Sequence, residues 1–294
     1  MPKFSRLAVP LSTPPMEARL VPELPTGAEW QFEPKWDGFR CLAFRDGGAV
    51  ELMSKSGKPL GRYFPEVVAT VLSMPDARLV LDGELVLPRG ETLSFADLQL
   101  RLHPSASRIA RLARETPAQL MVFDCLQRGS EMLVTQPLAK RRALLEDLAR
   151  QGLPPQMRLS PATDDPATAR EWLARSEGAL DGIVAKQREQ PYRPGERAMV
   201  KYKMRRTADC VIGGYRTDKA GTALASCCSA CSMTRSGSIM WGSSPDWMAA
   251  SVPPCWNACD RSPHRRHSTG MPQAGRAAGA ASAAPPGVRS GPNW

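Results

Sequence analysis

The chain has 294 residues, of which 42% are hydrophobic, and a formal net charge of +10 at pH 7. This length is enough for one large or two modest domains with a proper core. The sequence contains no apolar run of the roughly 18 residues that a membrane helix needs, and no signal-peptide pattern. These absences exclude an integral membrane protein and an exported one and predict a cytoplasmic protein, while the positive charge favours a polyanionic partner.

The two ends of the chain differ in composition from its middle. Residues 1–25 carry six prolines, a density that predicts an extended arm without regular structure. All the lysines and glutamates lie within residues 1–221, whereas residues 222–294 contain six arginines, two aspartates and mostly small residues. We therefore expect an ordered domain between a proline-rich arm and a C-terminal segment of another kind.

The most informative stretch is Glu33–Arg40, in which Lys35 has a carboxylate on each side and an arginine five residues later. Residues 30–32 and 40–44 have the composition of strands, while Pro34 and Gly38 predict a tight loop between them. A lysine held in such a loop can act as a nucleophile once its ammonium loses a proton. A surface lysine in a charged turn is the alternative that this stretch alone leaves open.

The following segment predicts a hairpin and a strand that carries carboxylates. A glycine-containing turn after Phe44 leads into a second strand at residues 50–54. The basic loop Ser54–Arg62 either presents amides and lysines to phosphates or is an ordinary cationic turn. The apolar strand Leu79–Leu87 contains Asp82 and Glu84, and burial of two uncompensated carboxylates would cost several kcal/mol. We therefore expect both carboxylates at the mouth of the strand, facing a ligand or a metal.

Further elements follow along the middle of the chain. Apolar periodicity and capping residues predict helices at residues 66–72, 94–102, 138–148 and 165–176, with Ser94 and Asp165 as N-caps. Apolar runs predict strands at residues 120–126, 180–186, 199–203 and 210–215. Lys201 and Lys203 are two residues apart, so both lie on the same face of their strand.

One loop lysine, two carboxylates in Asp-Gly contexts, an aromatic strand and a K-x-K pair are the components of a nucleotidyl-transfer site. In such a site the carboxylates hold divalent metals and the lysines neutralise the α-phosphate. In this order and spacing they resemble the covalent nucleotidyltransferases, specifically the small bacterial ATP-dependent DNA ligases of repair and end joining. The resemblance runs from about Leu20 to Tyr215. It implies an α+β, ATP-grasp-like adenylation domain at residues 26–206, with antiparallel sheets and flanking helices.

The resemblance also implies a role for individual residues around the nucleotide. Lys35 would take up AMP, Glu33 would read the adenine amino group, and Phe123 would stack on the base. Arg40 would grip the nucleotide and then the nick. Glu84 would contact the ribose or organise a metal.

The same resemblance assigns residues to the phosphates and the metal. Asp181 stands where the family more broadly has glutamate, and with Glu84 it would bind metal. Lys186 ends the D-G-x-x-x-K pattern and would contact the nucleotide. Lys201 and Lys203 would hold the α-phosphate.

DNA would be contacted by Arg40, Lys55 and Lys58. Lys55 replaces the arginine of many relatives, which keeps a point charge and loses bidentate phosphate recognition. The implied cofactors are ATP and Mg²⁺ or Mn²⁺, and the implied partners are nicked double-stranded DNA and end-joining repair proteins. The implied state is a monomer associated with the bacterial nucleoid. An RNA ligase, a capping-type nucleotidyltransferase and a catalytically inactive DNA-binding remnant are the alternatives that stay open.

In the family the adenylation domain is followed by an OB-fold domain, a small β-barrel that clamps the duplex. Residues 207–224 resemble its start, but residues 225–294 lack strand patterns and predict a non-native, largely disordered tail. A shift of reading frame explains the sequence of this tail, because permissible codons for residues 227–235 can encode a strand-like sequence when they are read one nucleotide earlier. Zinc ligation is the competing interpretation, since C-x2-C, C-x3-C and H-x2-H pairs lie between Cys228 and His267. We expect the loss of the OB-fold domain to impair the enzyme.

Overall fold

The computed structural model of the chain describes residues 3–90, 92–175, 180–203, 210–217, 224–233 and 238–244. They divide into two compact units, Met1–Met204 and Arg205–Trp294, which are described separately. No helix within the described ranges is both long and apolar enough to cross a membrane. The elements of the first unit are, in chain order, β1 (Ala18–Val21), β2 (Trp30–Lys35), β3 (Phe39–Asp46), β4 (Ala49–Ser54), α1 (Pro65–Ser73), β5 (Arg78–Val86), β6 (Pro88–Arg89), β7 (Thr92–Leu93), α2 (Phe95–Gln99), α3 (Ala106–Glu115), β8 (Gln119–Arg128), β9 (Glu131–Met132), α4 (Leu138–Arg150), β10 (Met157–Leu159), α5 (Pro166–Arg175), β11 (Gly182–Gln187) and β12 (Met199–Tyr202).

The first sheet joins the beginning and the end of the first unit. Its strand order is β1-β12-β11-β2, with β1 parallel to β12 and the other pairs antiparallel. β2 is an edge strand, and an edge strand tolerates Pro34 because the free side of the strand needs no N–H donor. β2 therefore runs through Pro34 to Lys35, which lies at the end of a strand. The prediction that Lys35 lies within a loop is wrong in this respect.

The second sheet carries most of the core. Its strand order is β10-β8-β5-β3-β4, with β9 paired to β8, and all its pairs except β10 with β8 are antiparallel. The β3–β4 hairpin turns at Gly47, whose φ of 63° favours glycine. The predicted α+β fold with largely antiparallel sheets is confirmed, and two pairs, β1 with β12 and β10 with β8, are parallel.

Helices flank the second sheet and close its main core. α4 packs on β8, and α1 packs on β4. The predicted N-caps are present: Ser94 Oγ accepts a hydrogen bond from the N–H of Asp97 at 3.2 Å, and Asp165 caps α5 in the same way. α2 packs into the core of the second sheet, whereas α5 packs on β2 and β11 of the first sheet, and strands of both sheets carry side chains into the site.

The N-terminal arm differs from its prediction. Residues 18–21 form β1, and Val9, Met16 and Leu24 are buried. The prolines before β1 turn the chain without forming regular structure, but the four residues of β1 find a partner in β12, which the local composition could not indicate. The expectation of an arm without regular structure is wrong for β1.

The second unit contains a three-stranded antiparallel sheet of β13 (Cys210–Thr217), β14 (Leu224–Met233) and β15 (Ser238–Ser244). The strand predicted at residues 210–215 is confirmed. Strand structure at residues 225–233 and 238–244 differs from the expected lack of regular structure there. Residues 224–233 contain no proline and no charge to interrupt a strand. Residues 245–294 and the cysteines and histidines among them lie outside the described residues, so the reading-frame and zinc interpretations stay predictions.

Candidate active site

A cavity of about 220 Å³ in the first unit is lined by both sheets. The segment at residues 15–18, which leads into β1, forms part of its wall. The first sheet contributes side chains from β2, β11 and β12, and the second sheet contributes side chains from β3, β5 and β8. Seven of the predicted site residues on these strands line the cavity: Glu33, Lys35, Lys186, Lys201, Arg40, Glu84 and Phe123.

Lys35 and Lys203 share one carboxylate. Lys35 Nζ lies 2.5 Å and Lys203 Nζ lies 2.8 Å from the same oxygen, Oδ2 of Asp181. Burial works against the charged form of Asp181, but the hydrogen bonds from Lys203 and Lys35 outweigh it, and the pKa of this carboxyl lies below its ordinary value. Asp181 is therefore ionised at neutral pH and holds Lys35 Nζ in place.

Gly38 and Gly182, which follow the aspartates on either side of Lys35 in the site, are required by close packing. A Cβ at Gly38 would lie 2.1 Å from the carbonyl oxygen of Leu85, and a Cβ at Gly182 would lie 2.1 Å from that of Tyr202. Any side chain at these positions would push the backbone away from the neighbouring strand. Gly38 thus fixes the turn after Lys35, and Gly182 fixes the approach of β11 to β12.

The carboxylate of Glu33 is buried between two donors. Gln31 Nε2 donates to Glu33 Oε1 at 2.7 Å, and Lys186 Nζ lies 2.7 Å from Glu33 Oε2. The second contact has the distance of an ion pair without the angles of a hydrogen bond, and Lys186 Nζ has no hydrogen-bond partner among the described residues. The ammonium also lies 4.6 Å from the centre of the Phe123 ring. A buried ammonium in this setting keeps donor capacity for a ligand in the cavity.

Arg40 is held by a fully buried aspartate. Its Nε and Nη2 lie 2.6 Å from Oδ1 and Oδ2 of Asp82, and its guanidinium carbon lies 4.6 Å from the centre of the Phe123 ring. Asp82 is 0% exposed and also accepts a hydrogen bond from the hydroxyl of Tyr192 at 2.6 Å. The prediction that both strand carboxylates lie at the strand mouth is therefore wrong for Asp82, because two partners distant in sequence compensate its burial. Glu84 does line the cavity.

Glu84 and Asp181 are the carboxylates predicted to bind metal. Burial raises the pKa of Glu84 to about 7, against the opposing charges of Arg40 and Lys35. No group of three or more acidic, histidine or cysteine side chains in the described part of the chain could hold a metal by itself. Mg²⁺ usually binds through one or two carboxylates together with phosphate oxygens of the substrate. Glu84 in the cavity wall and Asp181 beside Lys35 fit that donor set, and their role stays a prediction.

The rim of the cavity near Lys201 is strongly cationic. Burial, followed by the charges of Lys203 and Lys35, lowers the pKa of Lys201, and Lys55 and Arg197 act in the same direction. These positive charges repel one another, so the binding of a polyanion between them is favourable. This clustering suits the phosphates of a nucleotide.

The two lysines predicted to contact DNA lie in different surroundings. Lys55 lines the cavity and its Nζ is 3.1 Å from Oε1 of Glu17. Lys58 is exposed in the same loop, where its N–H donates to Ser54 Oγ at 3.0 Å, and it does not line the cavity. Nothing in the structure tests a DNA contact by either side chain.

Three residues that contribute to the site were not assigned by the sequence. Gln31 positions Glu33, Tyr192 binds Asp82, and Glu17 lies on the cavity wall beside Lys55. Gln31 lies two residues before Glu33 on one face of β2, a spacing that could have indicated the pair. No local pattern links Tyr192 to a carboxylate more than one hundred residues away.

Comparison with known proteins gives a family match over most of the described chain. The family described as ATP dependent DNA ligase domain matches residues 15–203. The chain is 49% identical over 209 residues to DNA ligase C2 of Mycolicibacterium smegmatis, covering 70% of this chain and 58% of that protein. It is 44% identical over 212 residues to DNA ligase C of Mycobacterium tuberculosis, covering 71% of this chain and 59% of that protein. The chain thus spans about three fifths of the length of these two relatives.

Two further matches concern proteins named LigD or DNA ligase D. The chain is 34% identical over 222 residues to the multifunctional non-homologous end joining protein LigD of Mycobacterium bovis, covering 74% of this chain and 27% of that protein. A solved structure of mycobacterial DNA ligase D complexed with ATP and MES superposes with a TM-score of 0.55 at 26% identity, covering 81% of this chain and 74% of that one. The fold and the sequence therefore point to the same relatives.

Proposed function

The chain belongs to the family of ATP-dependent DNA ligase domains, since the family match covers more than half of its residues, and from this premise we propose that it activates nicks in duplex DNA for sealing. In the proposed reaction Lys35 accepts AMP from ATP, and the AMP then passes to the 5′-phosphate at the nick. The 3′-hydroxyl on the other side of the nick completes the phosphodiester bond. The proposed setting is the bacterial cytoplasm, in DNA repair and end joining.

The position of Lys35 carries this proposal. Its side chain ends in the wall of a cavity that also holds a buried aromatic ring, Phe123, and an ammonium without a hydrogen-bond partner among the described residues, Lys186. Lys201 on β12, the strand next to β11, and Lys203 directly after β12 supply positive charge beside Lys35. A base stacked on the Phe123 ring and phosphates among the lysines would direct the α-phosphorus toward Lys35 Nζ.

The first step of the proposed reaction forms a bond between Lys35 Nζ and the α-phosphorus of ATP. The bond from that phosphorus to the bridging oxygen of pyrophosphate breaks, and pyrophosphate leaves with the electron pair. Lys35 must lose its proton to attack, and its ion pair with Asp181 must loosen for that to happen. Glu84 and Asp181 are the carboxylates that would hold a Mg²⁺ ion, which would neutralise charge at the phosphates. Lys201 and Lys203 stabilise the charge on the α-phosphate.

The second and third steps proceed on DNA. An oxygen of the 5′-phosphate attacks the phosphorus of the bound AMP, and the bond to Lys35 Nζ breaks. The 3′-hydroxyl then attacks the activated 5′-phosphate and releases AMP. Arg40 lines the cavity, and its Nη1 takes no part in the bonds to Asp82. It is the candidate to bind a phosphate of the nucleotide in the first step and the 5′-phosphate in the two later steps.

The test is covalent labelling of the protein with ATP that carries a radioactive α-phosphate, in the presence of magnesium. Wild-type chain should retain the label through denaturing electrophoresis, and Lys35→Ala should retain none. Lys201→Ala should be labelled more slowly. Lys140→Ala is the matched control, because Lys140 lies on α4 outside the cavity and should be labelled as fast as wild type. Label on the Lys35→Ala variant, or none on wild type, would refute the proposal.

Sealing itself is proposed to be slow in this chain. Residues 225–294 do not resemble the OB-fold domain that follows the adenylation domain in the family, and accurate positioning of reactants contributes on the order of 7–11 kcal/mol to such reactions. Sealing of a nicked duplex should therefore be at least about a hundredfold slower than in a version with the inferred reading frame restored. Equal rates for the two proteins would show that the tail is a working domain.

A further inference from the structure

Tyr192 makes two hydrogen bonds beside the cavity that no motif of the chain indicates. It lies in the connection between β11 and β12 and is 3% exposed. Its hydroxyl donates to Oδ2 of Asp82 at 2.6 Å and accepts the N–H of Met16 at 2.8 Å. Asp82 holds Arg40, and Met16 is part of the cavity wall. One hydroxyl thus fixes two elements of the site.

Arg40 depends on both partners of Tyr192. Its Nη2 donates to Asp82 Oδ2, the oxygen that also accepts the hydroxyl of Tyr192, and to the carbonyl oxygen of Met16 at 3.2 Å. Without the hydroxyl, the carboxylate loses one of the bonds that set its orientation, and the N–H of Met16 loses its acceptor. Either change alters the direction of the guanidinium over the Phe123 ring.

Tyr192 is itself held firmly. Its N–H donates to the carbonyl oxygen of Val134, and the carbonyl of Gln190 accepts the N–H of Leu138 at the start of α4. Burial and the charge of Asp82 raise the pKa of Tyr192 well above its ordinary value. The phenol is therefore protonated at neutral pH, where it donates to Asp82.

We propose that Tyr192 is a positioning residue for the ligase reaction, which orients Arg40 toward the phosphate through Asp82 and fixes the Met16 wall of the cavity. This proposal rests on the proposed function for its kinetic consequence, but its structural consequence is independent of any activity. The hydroxyl acts on the substrate only through Arg40. Its loss should therefore slow the reaction at saturating ATP more than it raises the KM for ATP.

The kinetic test compares Tyr192→Phe with wild type in the full chain. The substitution keeps the ring and removes only the hydroxyl, and we expect labelling at saturating ATP to slow by about ten- to a hundredfold, as for other small misalignments of reacting groups. Tyr63→Phe is the matched control, since Tyr63 packs on the core away from the cavity. Tyr192→Phe should have little further effect in an Arg40→Gln background. Equal effects in both backgrounds would mean that Tyr192 acts by general stabilisation, and would overturn the proposal.

The structural test separates this proposal from the proposed function. The side-chain Nε–H of Arg40, assigned in a nitrogen-15 spectrum by its loss in Arg40→Lys, should exchange with solvent at least about tenfold faster in Tyr192→Phe, because loss of a bond to a buried charged group loosens its partner. Unchanged exchange would overturn the positioning role even if the wild-type chain takes up AMP. Faster exchange in a chain that takes up no AMP would keep the positioning role and reject the ligase reaction.

Discussion

Two neighbouring aspartates of the second sheet each form a bidentate ion pair with an arginine, but the two ion pairs have different surroundings. Asp82 on β5 and Asp124 on β8 are paired residues of adjacent strands. Asp82 binds Arg40, whose side chain is 20% exposed to the cavity, whereas Asp124 binds Arg141, and both of those side chains are 1% exposed. The same type of bidentate ion pair can therefore have two roles. An arginine that reaches the cavity is available to bind a ligand, whereas a pair with both partners buried stabilises the fold.

Removal of Arg141 should have the largest effect on stability. Arg141→Met leaves Asp124 buried without its cation and removes hydrogen bonds to the carbonyl oxygens of Gln136 and Gln190, so the free energy of unfolding should fall by about 3–5 kcal/mol. Urea denaturation followed by circular dichroism measures this. The double variant Arg141→Met with Asp124→Leu removes both charges and should be more stable than the single variant. A single variant as stable as wild type would contradict the comparison.

Removal of Arg40 should affect stability less and chemistry more. Arg40→Met leaves Asp82 with the hydroxyl of Tyr192 and with access to cavity water, so the free energy of unfolding should fall by only about 1–3 kcal/mol. Labelling by ATP should slow by at least about a hundredfold, as when a charge-stabilising donor is lost. The same urea and labelling assays test both values. If Arg40→Met unfolds at a lower urea concentration than Arg141→Met, the Arg40–Asp82 pair contributes more to stability than the Arg141–Asp124 pair, and the proposed division of roles is wrong.

Glu84 gives a smaller effect that depends on pH. Its pKa in the folded chain is about 7, above the ordinary value of 4.5, so between these values the folded chain binds more protons than the unfolded chain. The free energy of unfolding therefore falls as the pH rises through this window, by on the order of 1 kcal/mol for a side chain that is partly exposed.

Glu84→Gln removes this titration and tests the sign of the effect. Relative to wild type, the variant should be more stable at pH 8 than at pH 5, and the difference between the two pH values should be on the order of 1 kcal/mol. Urea denaturation at both values gives the comparison. A constant difference between variant and wild type would mean that Glu84 has an ordinary pKa.

An exposed ion pair should have the smallest effect. Lys140 Nζ lies 2.7 Å from Glu131 Oε1, but the two side chains are 46% and 48% exposed. Lys140→Ala should lower the free energy of unfolding by no more than about 0.5 kcal/mol, and less in high salt. Thermal unfolding of the variant and the wild type in low and high salt measures this change in stability. A loss as large as that of Arg40→Met would mean that burial does not determine the strength of these pairs.

The sequence predicted most of the elements and few of their long-range partners. Helices with a cap and an apolar period, such as α5 behind Asp165, were found because the signal is local. The apolar period of α4 does not indicate that Arg141 is buried, because its partner on β8 is specified by the sheet and not by the helix pattern. Asp82 was misplaced for the same reason, since its compensation comes from the distant Tyr192.

The candidate site shows the same limit. The residues drawn together by the motif resemblance, such as Lys35, Lys186 and Lys201, do line one cavity. The extension of β2 through Pro34 was not predicted, because the tolerance of a strand for proline depends on its place at the edge of a sheet. Local composition indicates residue types for chemistry, and only the assembled sheets determine which carboxylate faces the cavity.

The pairing of β1 with β12 also has a consequence for synthesis of the protein. β1 and β2 leave the ribosome first, but their sheet partners, β12 and β11, are among the last strands of the first unit to be made. The second sheet is complete once β10 has emerged, and it can form earlier. During translation the cavity is therefore the last part of the first unit to assemble, and the early strands remain exposed to chaperones and to mispairing until β12 and its Lys201 arrive.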